Sequence, residues 1–306
     1  MSYHLPVLLN ESIEGLSITP DGTYVDLTFG GGGHSRAIMN HLGESGRLLA
    51  FDQDEDALAN AIDDSRFTLI HENFKYLKNF LRIHNVRSVD GILADLGVSS
   101  HQFDVAERGF SSRFDGQLDL RMDRRQEFSA HTLVNEYEEN ELARVLRLYG
   151  ELPNYKQIAR AICQSRTSRP IETTFDLKES IQRHLPRNKE NKFLAMVFQA
   201  IRIEVNGEME ALRSMLEQTA EVLKPGGRLV IISYHSLEDR LVKNWMRSGN
   251  FDGEIEKDFF GNPITPFVPV SRKAITPTTE ELNINNRSRS AKLRVAEKKQ
   301  ADNDRK

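Results

Sequence analysis

A single cysteine, Cys163, stands in a chain of 306 residues. That scarcity excludes an internal disulfide and a cysteine-based metal cluster, and it fits a reducing cytosol. No stretch approaches the roughly 20 apolar residues that a membrane span needs. The start, Met1-Ser2-Tyr3-His4-Leu5-Pro6, has no basic region followed by an apolar run and does not read as a secretory signal. The histidines and acids show no cluster at metal-ligand spacing, so no metal is expected. Internal repeats are also missing. A cytoplasmic protein is the expectation.

Hydrophobic residues make up 39% and charged residues 28% of the chain, ordinary usage for a globular protein with a sizeable core. The net charge of -4 does not announce a nucleic-acid binder, but its distribution is uneven. From Ser271 onward ten Lys/Arg face five Asp/Glu, a local +5 that leaves about -9 on the first 270 residues. A basic end on an acidic body suits phosphate contacts, or, over 297–306, a solvated end.

Thr23–Thr28 reads as a buried strand running into Gly30-Gly31-Gly32-Gly33, with a helix starting at His34. Arg47–Phe51 is a second strand ending at Asp52, and Asp54 can cap a following helix. Phe67–Ile70 and Val89–Ala94 are a third and fourth, the last ending at Asp95. Strands alternating with helices predict a mostly parallel sheet covered on both faces. After Ser100 the pattern breaks. His101–Asp123 is polar and aperiodic, a long loop of the kind that usually carries function. Leu142, Val145, Leu146 and Tyr149 then stripe a helix that stops at Gly150. Tyr155, Ile158, Ala159 and Ile162 stripe a second helix behind Asn154, and Leu177, Ile181 and Leu185 a third. The α/β pattern resumes with a helix through Leu223, a stop at Lys224-Pro225-Gly226-Gly227 and a strand over Arg228–Tyr234. The expected architecture is therefore α/β, with residues 1–110 and 200–306 forming one domain and 111–199 an inserted helical one.

A strand, a glycine turn and a helix bring backbone amides close to a ligand, and an acid about twenty residues on can accept from ribose hydroxyls. Here Gly33 and Asp52 are nineteen residues apart. The dinucleotide fingerprint G-x-G-x-x-G fails, since its last position is Ser35 or Arg36. Rossmann-like methyltransferases instead place an acid four residues before G-x-G, which Asp26, Gly30 and Gly32 satisfy. S-adenosylmethionine is thus favoured over NAD.

Several longer motifs carry a more specific likeness. They are His4–Glu11, Asp26–Ser35, Asp95–Gln102, Glu107–Ser111, Leu118–Asp123, His235–Arg240 and Arg289–Arg294. In content and order they resemble the RsmH (MraW) family, which methylates the exocyclic N4 of a cytidine in the decoding centre of 16S rRNA. The resemblance implies a Rossmann-like class I methyltransferase fold with a helical insertion for RNA recognition. It also implies S-adenosylmethionine as donor, the small ribosomal subunit as partner and a homodimer. Carried over by motif, cofactor contacts fall on Gly32, Gly33 and His34, on Asp52 for the ribose and Phe74 for the adenine, and on Asp95 and Gln102. Gln117 and Leu120 depart from the family's usual Pro and Met, and Lys189–Phe193 is shorter and less basic than usual.

Methylating an exocyclic amine needs no covalent step, only an acceptor for the N–H hydrogen and alignment of the reacting atoms. Asp95, at the C-terminal end of the fourth strand, is the candidate base, with holding the cofactor's ammonium as its alternative role. Cys163 reads as a packed helix residue. In His235–Arg240, Ser236 and Asp239 fit a capping box, while His235 is the candidate for lining the base pocket and Asn206 a weaker one. Arg287, Arg289, Lys292 and Arg294 read as phosphate contacts. Arg108, Phe110 and Arg113 in the long loop are candidates to grip a flipped cytosine, the alternative being a lid over the cofactor. The rival readings are an NAD-dependent oxidoreductase, a non-catalytic RNA-binding assembly factor and a DNA amino-methyltransferase.

Overall fold

The computed structural model describes residues 6–300, so His4 and Leu5 of the first motif and 301–306 of the basic end lie outside the described residues. By contact the chain forms two compact units, Met1–Gly97 with Glu210–Lys306, and Val98–Met209. The sequence placed these joins at 110/111 and 199/200. No helix among the described residues is long and apolar enough to cross a membrane.

The first unit is built on a seven-stranded sheet. Its strands are β1 (Thr23–Asp26), β2 (Arg47–Phe51), β3 (Phe67–Ile70), β4 (Val89–Asp95), β5 (Leu223–Ser233), β6 (Phe267–Pro269) and β7 (Lys292–Lys298). Their spatial order is β3-β2-β1-β4-β5-β7-β6. The first five neighbours pair in parallel, and β7 runs antiparallel to both β5 and β6. Helix α1 (Leu9–Leu16) precedes β1, and because parallel strands need crossovers, helices such as α2 (Gly33–Met39), α3 (Leu77–Ile83) and α10 (Glu208–Val222) alternate with the strands. Leu48, Leu49, Ala50 and Phe51 of β2 are all fully buried, as a sheet covered on both faces requires. The chain order reverses between β1 and β4, and ligands of open α/β sheets collect outside the strand ends at such a point.

Two expectations for this unit change. Lys224-Pro225-Gly226-Gly227 is not only a helix stop: it lies within β5, whose pairing with β4 shifts register between Val89 and Gly91. Gly226 turns there at φ 80. The basic end is no loose tail up to residue 298, because β7 fills the sheet beside β5. Leu293 and Val295 point into the core with Val230 and Ile232, and Arg294 between them turns to the opposite face of the sheet by the two-residue period of a strand.

The second unit is helical, with α4 (Ser100–Asp104), α5 (Ala130–Glu136), α6 (Glu139–Leu148), α7 (Tyr155–Arg166), α8 (Thr174–Ile181) and α9 (Glu190–Asn206). Leu142, Val145, Leu146, Ile158, Ile162, Leu177 and Ile181 form one core with Leu194, Val197 and Ile201 of α9. Asn154 precedes α7 without capping it, and its side-chain amide donates to His184 O at 2.7 Å.

The long loop is packed rather than open. Arg108 is fully buried and donates from Nη2 to the carbonyls of Arg121 (3.0 Å) and Met122 (3.3 Å). Phe110 is 5% exposed, with the Arg108 guanidinium 5.8 Å from its ring centre. Neither presents itself to a base, because each is consumed in building the loop. Asn206 accepts from Met122 N at 2.7 Å and donates to Leu120 O at 2.8 Å, fastening the loop to α9. It therefore holds backbone, and the loop groups with the helices because its anchors lie there. Leu120 sits at φ 56, a conformation that costs a leucine energy and that these bonds hold in place.

Arg108→Ala should remove charge-assisted bonds to two backbone carbonyls, one of them buried, and lower stability by about 2–3 kcal/mol. Arg113→Ala, at an exposed position, should stay within roughly 0.5 kcal/mol of the parent. Chemical denaturation reads both, and equal effects would contradict the packed loop.

Candidate functional site

After β1 the backbone bends sharply. Phe29 N donates to Phe51 O at 2.9 Å and Gly32 N to Phe29 O at 2.7 Å. Gly32 takes φ 75, and a Cβ there would meet the Phe29 ring at 2.9 Å. At Gly33 a Cβ would fall 2.2 Å from Cγ of Pro6. These two glycines are required by the protein's own packing. Gly31 is different: a Cβ there would have nothing within 4 Å, so this side of the bend is open.

The bend is pinned on both sides. Gly30 N donates to Asp52 Oδ2 at 2.7 Å, and Asn60 Nδ2 donates to Gly30 O at 3.1 Å. Arg36 donates from Nη1 to Gly31 O at 2.9 Å and from Nη2 to Asn60 O at 3.0 Å. Asp54 N donates to Asp52 Oδ1 at 2.9 Å, and Asp54 caps the next short helix through Asp56 N. Each Asp52 oxygen thus takes one backbone amide and keeps a second acceptor site, the arrangement needed for two sugar hydroxyls. Burial pushes the Asp52 carboxyl up to about 6, against the opposing pull of the Asp54 and Gly30 amides.

Asp26 does not face a ligand. It is 1% exposed and accepts from Thr28 N at 3.1 Å and Ser35 Oγ at 2.7 Å. Burial raises its pKa while His34, Ser35 and Thr28 counteract. Its role is to shape the turn.

Asp95 ends β4 across the switch point. Its backbone N donates to Thr28 Oγ1 at 2.7 Å, which registers it against the end of β1. Tyr234, just beyond β5, donates its hydroxyl to Asp95 Oδ1 at 2.7 Å. His34 Nδ1 lies 3.9 Å from Asp95 Oδ2, and His34 Nε2 is 3.1 Å from Val7 O. A carbonyl only accepts, so Nε2 is the donor to Val7, and Nδ1 is the ring nitrogen that faces Asp95. Burial lifts the Asp95 carboxyl to about 6; His34 and the Tyr234 hydrogen bond pull it down, and Asp26 and Glu238 push it up. A carboxyl near neutrality is suited to accept a proton in a reaction.

Phe74 is half-buried at the start of a short helix after β3. Asn73 donates from Nδ2 to Gln53 Oε1 at 2.6 Å, tying Phe74's segment to the residue after Asp52. Gly32, Gly33, His34, Asp52, Phe74 and Asp95 therefore all belong to the sheet unit. Gln102 belongs to the helical unit, where it is buried and shares a capping box with Ser99.

His235 is the N-cap of α11 (Ser236–Ser248), accepting from Glu238 N at 3.4 Å, with Nε2 3.1 Å from Glu238 Oε1. The expected pairing of Ser236 with Asp239 as a capping box is replaced by this one. Asp239 instead accepts from Lys292 Nζ at 3.1 Å and Arg294 Nε at 2.7 Å, which hold its carboxyl below its ordinary value. Arg294 is mostly covered, while Arg287, Arg289, Lys292 and Arg113 are exposed.

Thr28, Asn60, Gln53 and Tyr234 did not stand out as site residues in the sequence. Tyr234 had one usable signal, its position directly after a buried strand. The others are set by long-range hydrogen bonds with no local pattern.

A family model described as the MraW methylase family matches residues 1–299. The chain is 60% identical over 298 residues to the ribosomal RNA small subunit methyltransferase H of Flavobacterium johnsoniae, spanning 97% of this chain and 98% of that protein. It is 58% identical over 299 residues to the protein of the same name from Bacteroides thetaiotaomicron, spanning 98% of each. The Flavobacterium psychrophilum protein of that name is 59% identical over 292 residues, spanning 95% of this chain and all of that one.

Tyr234→Phe removes a donor from Asp95 while leaving the ring in place. The Asp95 carboxyl should then titrate at higher pH than the parent's value of about 6, read by carbon-detected NMR of the side chain. An unchanged or lower midpoint would show that the hydroxyl does not stabilise the ionised form.

Proposed function

This chain is a member of the MraW methylase family, and on that premise we propose that it methylates the exocyclic N4 of a cytidine in the decoding centre of 16S rRNA, within the small ribosomal subunit. The donor is S-adenosylmethionine. The single observation that carries the reading is the meeting, at one switch point, of an open glycine bend, a hydroxyl-accepting Asp52 and the half-buried carboxyl of Asp95.

The site's residues suit that donor. The open side of Gly31 admits a ligand against the backbone, Asp52 has two acceptor positions for the ribose, and Phe74 offers an aromatic face for the adenine. Bound there, S-adenosylmethionine supplies an electrophilic methyl group on a sulfonium. The chain's own part is to orient and to move a proton. Asp95 accepts a hydrogen bond from the cytidine amine, which localises the nitrogen lone pair, and takes the proton as the new N–C bond forms. Tyr234 and Thr28 keep its carboxyl in place. His34 beside it favours the ionised form.

Carbon methylation of the ring would require a thiolate nucleophile. Cys163 lies on α7 of the helical unit, and burial raises its thiol pKa, the reverse of activation. This supports an amine as acceptor. Contact with RNA is assigned to the exposed Arg113, Arg287, Arg289 and Lys292 and to the helical unit.

Tritiated methyl transfer to purified 30S subunits, naked 16S rRNA and DNA, followed by nucleoside analysis, tests the proposal. N4-methylated cytidine from the ribosomal substrates is the expected product; label only in DNA, or in none of the three, would overturn it. Asp95→Asn should cut turnover by roughly 10²- to 10⁴-fold.

Asp52 gives a pH signature. Its folded pKa lies above the ordinary value, so between about pH 4 and 6 the folded chain binds a proton that the unfolded chain has released. The stability it contributes therefore falls as pH rises through that window. Donor binding runs the other way: protonation removes an acceptor, and affinity measured by calorimetry should weaken as pH drops below about 6. Asp52→Asn should weaken binding by about tenfold or more at neutral pH and flatten the profile. A parent profile with no slope near pH 6 would contradict this role.

A further inference from the structure

Beside the proposed methyl-transfer centre, on the same sheet unit, lies a cavity of about 300 Å³. It is lined by Tyr234, His235 and Ser236 at the end of β5 and start of α11, and by Thr276, Arg289, Ser290 and Lys292. The lining has a consistent chemistry. It contains two permanent cations, four hydroxyls and an imidazole, and no carboxylate.

The acids nearest to it are already committed. Asp239 is held by Lys292 and Arg294 together, so that trio keeps a net positive charge and Lys292 is fixed at the rim. Glu238 is 2% exposed and accepts from Tyr234 N at 2.9 Å while its other oxygen faces His235 Nε2. Glu281 accepts from Leu8 N at 2.8 Å. Among the described residues no ion pair takes up Arg289, whose guanidinium is exposed.

Size and position narrow the ligand. The volume exceeds what a bare phosphate needs and suits a sugar with its phosphate. Tyr234 lines the cavity and also donates to Asp95, so one side chain separates the two sites. A chain whose acceptor base reaches Asp95 therefore passes its neighbouring backbone here.

We propose that this cavity binds the ribose-phosphate of the nucleotide adjoining the methylated one in a single-stranded RNA. Arg289 and Lys292 take the phosphate oxygens, and Ser236, Thr276 and Ser290 offer hydroxyl partners to the sugar and phosphate. The assignment rests on RNA being the substrate. It adds a location for the backbone and a reason for the basic segment leading into β7: strand pairing at Lys292 and the short helix Asn286–Ser290 that carries Arg289 hold the two cations at one cavity.

The test uses the full-length protein with 16S rRNA, and binding is measured across a salt series. Arg289→Ala and Lys292→Ala should each weaken RNA binding and lower the salt slope of log K by roughly 0.7–0.9, the amount expected when one phosphate is no longer neutralised. S-adenosylmethionine affinity by calorimetry should not move, which shows the fold intact. Arg289→Lys should restore the slope, because the charge returns. Ser290→Trp, which fills the cavity without changing charge, should also weaken RNA binding. If the parent methylates rRNA while all these variants bind RNA as it does, the cavity assignment falls and the activity stands. If the parent neither binds nor methylates rRNA, the substrate reading itself falls. Inorganic phosphate that binds the parent, in a titration, while the variants keep full RNA affinity would assign the cavity to a small anion and overturn the proposal.

Discussion

The hydrogen bond from Gly30 N to Asp52 Oδ2 joins the turn after β1 to the end of β2. Most of the site's geometry descends from it. With the amide held, the bend can open only on the Gly31 side, and Asn60 and Arg36 brace the carbonyls behind it. With the carboxylate held by one amide on each oxygen, each oxygen keeps one acceptor site. Packing enforces the same bend from outside, through Pro6 against Gly33 and Phe29 against Gly32. The site is therefore preorganised by contacts that do not involve a ligand.

Three carboxyls at the strand ends are withdrawn from water, Asp26 fully and Asp52 and Asp95 in part, and burial raises the proton affinity of each. What separates them is their partners. Asp26 spends its oxygens on Thr28 and Ser35 and belongs to the scaffold. Asp52 accepts backbone amides and keeps acceptor capacity. Asp95 takes one tyrosine hydroxyl and stands near, but not bonded to, a histidine. Where their hydrogen bonds go thus separates residues of one chemical type into a structural one and two for which binding and proton transfer are proposed.

The long loop and the basic end show the limits of local reading. Arg108 and Phe110 have the composition of a base grip, yet both are buried, since a segment rich in arginine and glycine can also fold on itself around a guanidinium. Arg287, Arg289, Lys292 and Arg294 read as one basic patch. Lys292 and Arg294, two apart on β7, both pair with Asp239, and Arg289, from the short helix before the strand, joins Lys292 at a cavity. The alternation of Leu293 and Val295 with charged neighbours was a strand signal, overshadowed by the charge count.

The parallel strands, the glycine turn, Asp52 and Asp95 at strand ends and the membership of a methylase family were legible in the residues alone. Each rests on local periodicity or on a motif whose spacing is short. The antiparallel β7, the burial of Arg108, the Tyr234–Asp95 bond and the cavity beside it were decided by the tertiary structure. They join residues 13 to 139 positions apart, and at such separations sheet pairing and hydrogen bonding, not neighbouring sequence, select the partner.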